Sequence, residues 1–337
     1  MRIPSEKARA WRASLVAATS LAVAIGLAAA PAGATAGASR APAAAAAVTS
    51  RVTYIGAFAG TLGKSPIGQW NLAYSEIGPL QSDKIFYGTG KPKPLPPTFS
   101  GSVCAGLKNQ PVCVIAYKTA SKSTLQSFVE SMPKQRSSPV IMVYWQEPEL
   151  GKSISAATFK TNFDLRSQWV RQAVQQAKAK GKDLSYVKVA MDSATSGYAN
   201  TRSPGYYCSY FPAASNVDDY LADVYEHRLT SLKDKADFQR WNQCVAKNGT
   251  GKPQGLAEYG LGVCTKDGAP ATELQREQTL AGDAGYLAKN FPHLLLWEYW
   301  WSTISGSRNN PCAHSKFGAK SVTATEWKKI EAGTVPS

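Results

Sequence analysis

The chain has 337 residues, of which 44% are hydrophobic and 18% charged, and its 38 Lys and Arg against 23 Asp and Glu give a formal net charge of +15. That apolar content excludes a disordered chain, and the length suits one large core better than two small domains. The basic residues are scattered and lack aromatic-interleaved runs, which argues against nucleic acid and for a solvated positive surface suited to anionic cell-wall polymers.

Arg2, Lys7, Arg9 and Arg12 precede an apolar stretch from Ala13 to Ala30, followed by Ala34-Thr35-Ala36. This pattern predicts a secretory signal over 1–36 with cleavage after Ala36, and hence a secreted protein. Residues 37–50 are nearly all Ala, Gly, Ser and Pro and predict a flexible leader. No later stretch approaches the ~18 apolar residues of a membrane span.

From residue 51 to 337 short apolar runs alternate with helical patterns, the rhythm of a parallel βα series in a single domain. Eight runs are predicted as strands: Val52 to Phe58, Lys84 to Tyr87, Pro111 to Tyr117, Val140 to Trp145, Tyr186 to Met191, Val217 to Tyr225, Gly255 to Tyr259, and His293 to Tyr299. Several are continuous and β-branched or aromatic, as strands covered on both faces should be. Helical spacing follows the third run (Leu125, Phe128, Val129), the fourth (Phe159 to Ala177, ended by Gly181), the sixth (Phe238, Trp241, Val245), the seventh (Leu274 to Leu287) and the eighth (Trp327, Ile330). The fold class read from this order is α/β, a (β/α)8 TIM barrel. The segment from Ser193 to Asn216 has no helical period but carries Tyr198, Tyr206, Tyr207, Tyr210 and Phe211. It is either a sugar-stacking wall or a loop folded on its own aromatics and pinned by Cys208.

Six cysteines in an exported chain predict disulfides. The pairs expected are Cys104 with Cys113 across a short loop, Cys264 with Cys312 between the loops after the last two strands, and, by elimination, Cys208 with Cys244. No C-x-x-C or H-E-x-x-H spacing occurs, so no metal site is predicted. Gly63-Lys64-Ser65 lacks the first glycine of a phosphate loop, and neither a G-x-S-x-G elbow nor a G-x-G-x-x-G fingerprint is present; no cofactor is predicted.

Two carboxylates stand where barrel chemistry is done, at the C-terminal ends of strands. Glu147 follows the fourth run after Gln146 and precedes Pro148; Glu258 is the next-to-last residue of the seventh run, before Gly260 and Gly262. Tyr144-Trp145-Gln146-Glu147-Pro148 resembles the strand-four acid/base motif of clan A glycoside hydrolases, and Ala257-Glu258-Tyr259-Gly260 resembles their strand-seven nucleophile motif. Barrels of glycoside hydrolase family twenty-six type are the nearest resemblance. It implies a retaining glycosidase acting on a β-linked poly- or oligosaccharide, with Glu147 as acid/base, Glu258 as nucleophile and about 5 to 5.5 Å between the carboxyl groups. Gln146 departs from the pattern, since clan members place Asn there and the family His.

Trp297-Glu298-Tyr299-Trp300-Trp301 closes the eighth run, with Trp300 expected as a sugar platform and Trp297 or Trp301 packed on helices. Glu298 is either a structural carboxylate or a polar contact to substrate. Tyr225, at the end of the sixth run with Asp223, is expected to support the nucleophile, and Tyr207 to contact sugar from the aromatic loop. Asp192 either binds hydroxyls or caps the loop after the fifth run, and Glu149 competes with Glu147 for the acid role. The alternative to an enzyme is a catalytically silent sugar- or wall-binding barrel.

Overall fold

A computed structural model of the chain describes residues 54–58, 65–88, 93–150, 154–199, 207–225, 228–249, 251–301 and 321–331. The expected signal and leader lie outside them. Eight parallel strands form one sheet: β1 (Tyr54–Phe58), β2 (Ser82–Tyr87), β3 (Val112–Tyr117), β4 (Val140–Tyr144), β5 (Val187–Ala194), β6 (Asp219–Tyr225), β7 (Gln254–Gly260) and β8 (Leu294–Trp300). Each pairs with its sequence neighbour from β2 round to β8, and β8 pairs with β1. The remaining seam, β1 to β2, is bridged by Gln81, whose N–H donates to Ile55 O (2.7 Å) and whose side-chain oxygen accepts from Ile55 N (3.3 Å). Gly56 permits this approach, because a Cβ there would lie 2.1 Å from Ser82 O. The (β/α)8 barrel expected from the sequence is the fold observed.

The helices are α1 (Pro66–Ile77), the short α2 (Val103–Gly106), α3 (Lys122–Glu130), α4 (Ala156–Ala179), α5 (Ala236–Asn248), α6 (Glu273–Asn290) and α7 (Val322–Glu331). Serine side chains cap α1, α2, α3 and α4, and Thr272 with Gln275 forms a capping box on α6. Alternation divides the strands between two cores, with one break in β7. Val114, Ile141, Val143, Ala190, Leu221 and Leu296 fill the barrel, while Tyr117, Met142, Tyr144, Tyr220 and Trp297 pack outward beneath the helices.

Among the described residues, no α-helix lies between β5 and β6. The chain makes short 3-10 turns instead, and the choice left open for its aromatic loop is resolved at three positions. Tyr198, Tyr210 and Phe211 are buried, Tyr210 donates to Ile154 O at 3.0 Å, and Phe211 stacks on Tyr220. Cys208–Cys244 ties this segment to α5, and Cys104–Cys113 joins α2 to β3. Cys264 is also disulfide-bonded, but its expected partner, Cys312, lies outside the described residues. Opening Cys208–Cys244, whose ends are 36 positions apart, should cost about 4 kcal/mol by freeing the unfolded chain. Denaturant midpoints of the Cys208→Ser/Cys244→Ser variant against the parent check this; an unchanged midpoint would contradict it.

Candidate active site

Strand β2 places Ser82, Lys84 and Phe86 on its inward face, and Lys84 is fully buried inside the barrel. An unpaired ammonium there would lose its proton or unfold the protein. Three strands answer it: Nζ lies 2.7 Å from Asp192 of β5, 2.8 Å from Asp223 of β6 and 2.6 Å from Glu258 of β7. Burial alone would lower the Lys84 pKa, but these charges hold it well above the usual lysine value. A lysine so held is no Schiff-base nucleophile, which needs a free amine.

Glu258 reaches this centre through a bulge. Ala222 of β6 pairs with Leu256, and the next residue, Asp223, pairs with Glu258, so Ala257 is extra. Because Leu256 faces the helices and Ala257 the barrel, simple alternation would have turned Glu258 outward. The bulge re-aims it beside Asp223. Its neighbour Tyr259 anchors the strand from the other face, donating to Asp283 of α6 at 2.6 Å.

Gln146 and Glu147 follow β4 in a tight turn. Trp145 and Glu147 both adopt left-handed backbone conformations, with φ of 53° and 50°, each costing about 1–3 kcal/mol for a residue with a side chain. Neighbouring strands hold the turn: Trp145 N donates to Tyr117 O (2.9 Å) and Glu147 N to Asp192 O (3.2 Å). The Gln146 amide then reaches across the barrel, donating to Asp223 Oδ2 at 2.8 Å and Glu258 Oε1 at 2.7 Å. Glu258 Oε1 thus accepts from Lys84 and Gln146 together, while Oε2 receives no hydrogen bond from the described residues.

Three buried carboxylates against one ammonium leave the cluster short of positive charge. Burial, with Asp192 and against Lys84, pushes Glu147 up to about 7. Burial, with the charges of Glu147 and Asp192, pushes Glu258 up to about 8 against Lys84. Asp223 is held well above the usual carboxylate range by burial and by Asp192 and Glu258. Elsewhere, burial also lifts Asp219 and Asp283 to about 7. A carboxyl whose folded pKa is raised adds stability below its unfolded value, near 4, and that stability is lost as pH rises through the folded value. Denaturant midpoints should therefore fall between about pH 5 and 8; a midpoint that rises across this window would contradict the assignment.

The other expected residues fall as follows. Glu298 of β8 is buried inside the barrel opposite Gly56, its carboxyl held well above the usual range by burial and by Asp83. Trp300 is half-buried, with one face stacked on Phe58 at 4.1 Å and Tyr225 edge-on at 5.8 Å. The donors that reach Glu258 Oε1 are Lys84 and Gln146, rather than the Tyr225 phenol. Trp297 and Trp301 are fully buried, and Trp297 packs edge-on against Trp327 of α7. Glu149 is buried, its carboxyl raised first by burial and then by Glu147 and Asp192. The Tyr207 side chain lies outside the described residues.

Asp192 is a correction. Strand β5 continues to Ala194, so Asp192 is no loop cap but an inward-facing partner of Lys84. Lys84 itself was passed over, as the first residue of an apolar run. Its signal was a lysine inside a parallel strand buried on both faces, where a charge survives only with partners. Among the described residues no group of three or more His, Cys, Asp or Glu is arranged to hold a metal ion, and no helix is long and apolar enough to cross a membrane.

No protein-family model and no curated protein matches the sequence. Among solved structures, the chain is similar to GH26C from Muricauda sp. MAR_2010_75, with a TM-score of 0.50 and 11% identity over 85% of this chain and 86% of that one. It is similar also to a double mutant of the Cellulomonas fimi endo-β-1,4-mannanase, with a TM-score of 0.50 and 13% identity over 86% of this chain and 75% of that one. A point mutant of a GH128 (subgroup I) endo-β-1,3-glucanase from Amycolatopsis mediterranei aligns with a TM-score of 0.48 and 11% identity over 82% of this chain and 100% of that one. The first two likenesses support the barrel fold, and at this identity they assign no residue of the site.

Proposed function

We propose that the chain is a retaining glycoside hydrolase of β-linked poly- or oligosaccharides, with Glu258 as nucleophile and Glu147 as acid/base. The observation that carries this reading is the Gln146–Glu258 bond at 2.7 Å, joining residues 112 positions apart. It brings the turn bearing Glu147 and the end of β7 to one site at the C-terminal ends of the strands, where barrel enzymes act.

Lys84 and Gln146 both donate to Oε1 of Glu258, which fixes the carboxylate and leaves Oε2 to attack the anomeric carbon. As that bond forms, the glycosidic C–O bond breaks and Glu147 gives its proton to the leaving oxygen. A pKa of about 7 suits a group that must hold a proton and then surrender it. The Glu147 carboxylate next takes a proton from water, the water oxygen attacks the anomeric carbon, and Glu258 is released. Half-buried Trp300 offers an apolar surface to a sugar ring. The signal-like N-terminus and the disulfides support export, with a basic surface facing anionic wall polymers.

Glu147→Ala should slow hydrolysis of unactivated oligosaccharides by about 10²–10⁴-fold and of dinitrophenyl β-glycosides far less, because the latter need little protonation. Equal losses on both would contradict the acid/base role. A parent protein that binds β-glucan or β-mannan but releases no reducing ends would favour the silent sugar-binding barrel.

A further inference from the structure

The catalytic rim of this barrel is electrically divided, and the division points to a substrate feature that the carboxylate pair does not specify. Lys118 is the first residue after β3 and Trp145 the first after β4, so the two stand side by side at the C-terminal ends of adjacent strands. The Lys118 ammonium sits over the Trp145 indole, 4.1 Å from the ring centroid. This contact orients the ammonium without neutralising it. Among the described residues no carboxylate forms an ion pair with Lys118. Trp145 cannot easily move away, because its left-handed turn is pinned to Tyr117 O, and Gln146 and Glu147 follow it directly. A half-buried cation therefore stands just past the end of β3, with no carboxylate partner among the described residues, on an indole that belongs to the turn carrying Gln146 and Glu147.

The sequence around it strengthens the asymmetry. Among the described residues that follow β8, β1, β2 and β3 (301 and 321, 65, 88 and 93–98, and 118–121) there is no Asp or Glu, and Lys93 and Lys118 are basic. In contrast, Asp192, Asp223 and Glu258 come from β5, β6 and β7, and Glu147 and Glu149 follow β4. An anion at the carboxylate-rich centre would meet like charge, whereas one displaced toward β3 would meet an unpaired cation. The formal net charge of +15 would draw a polyanionic chain toward the protein from a distance.

We infer that the sugar next to the scission point carries an anionic substituent, a carboxylate or a sulfate ester, which Lys118 holds against the Trp145 face. This rests on the glycosidase reading of Glu147 and Glu258, and it narrows the substrate class from β-glycans in general to acidic ones.

The test is affinity electrophoresis of the full chain through gels containing carboxymethyl, sulfated or hydroxyethyl derivatives of one β-glucan, for the parent, Lys118→Gln and Lys247→Gln. Lys247 is exposed on the last turn of α5, which leads into the N-terminal end of β7, so its replacement removes the same charge away from the catalytic rim. The parent should be retarded more by an anionic derivative than by the neutral one, and the derivative that retards it names the substituent. Lys118→Gln should weaken binding to that derivative roughly fivefold with the neutral one unchanged, while Lys247→Gln keeps the preference. Equal losses in the two variants would reduce the effect to general surface charge and overturn the inference. So would a parent that binds neutral and anionic derivatives alike, an outcome that leaves the glycosidase reading standing. No retardation by any derivative would count against both.

Discussion

Lys84→Met should destabilise the protein by about 3–5 kcal/mol near pH 7.5, the largest loss expected from any single substitution in the site. Methionine fills similar volume, so the cost is electrostatic: Asp192, Asp223 and Glu258, at 2.6 to 2.8 Å from Nζ, would remain buried with no counter-ion. The deficit should shrink toward pH 5, because protonation of Asp223 and Glu258, both raised by burial, removes charge that the missing ammonium no longer balances. Denaturant unfolding of parent and variant at both pH values checks this. A loss below about 1 kcal/mol, or one that does not change with pH, would mean that the three carboxylates do not depend on Lys84 for their burial.

Glu258→Gln should behave in the opposite way, lowering turnover by at least about 10⁴-fold while leaving stability unchanged or slightly higher. The amide keeps the shape, cannot form the glycosyl bond, and removes one of the three negative charges around a single ammonium. Affinity for glycan should persist. A variant that unfolds readily yet keeps a few per cent of the parent rate would instead give Glu258 a structural role. The two substitutions would thus separate the jobs proposed for one ion pair, stability for Lys84 and the reaction for Glu258.

The barrel was legible because strands buried on both faces need continuous apolar runs, and all eight runs lie within a few residues of the observed strands. Glu147 and Glu258 stood out as candidates because each lies near or just past the end of such a run, with Pro148 or Gly260 close behind. Other features were not written locally. Lys84 makes sense only with Asp192, Asp223 and Glu258 around it, and the nearest of these in sequence is on β5. The bulge at Ala257 is invisible to alternation, since a register shift depends on the partner strand. Asp192 was misplaced because the polar end of β5, Asp192-Ser193, reads as a loop, whereas inside the barrel it faces a cation. Helix α1 was legible too and went unread: Trp70, Ala73 and Ile77 recur at helical spacing, and Ser65-Pro66 supplies a cap and a favoured first position.

The anomeric configuration of the first product tests the proposed double displacement most directly, read by proton NMR within minutes of adding the parent protein to a β-glucan or β-mannan, acidic derivatives included. Attack by Glu258 followed by water requires two inversions, so newly released reducing ends should appear first as the β anomer and drift to the equilibrium mixture. First appearance of the α anomer would make the reaction a single displacement and remove Glu258 as the nucleophile.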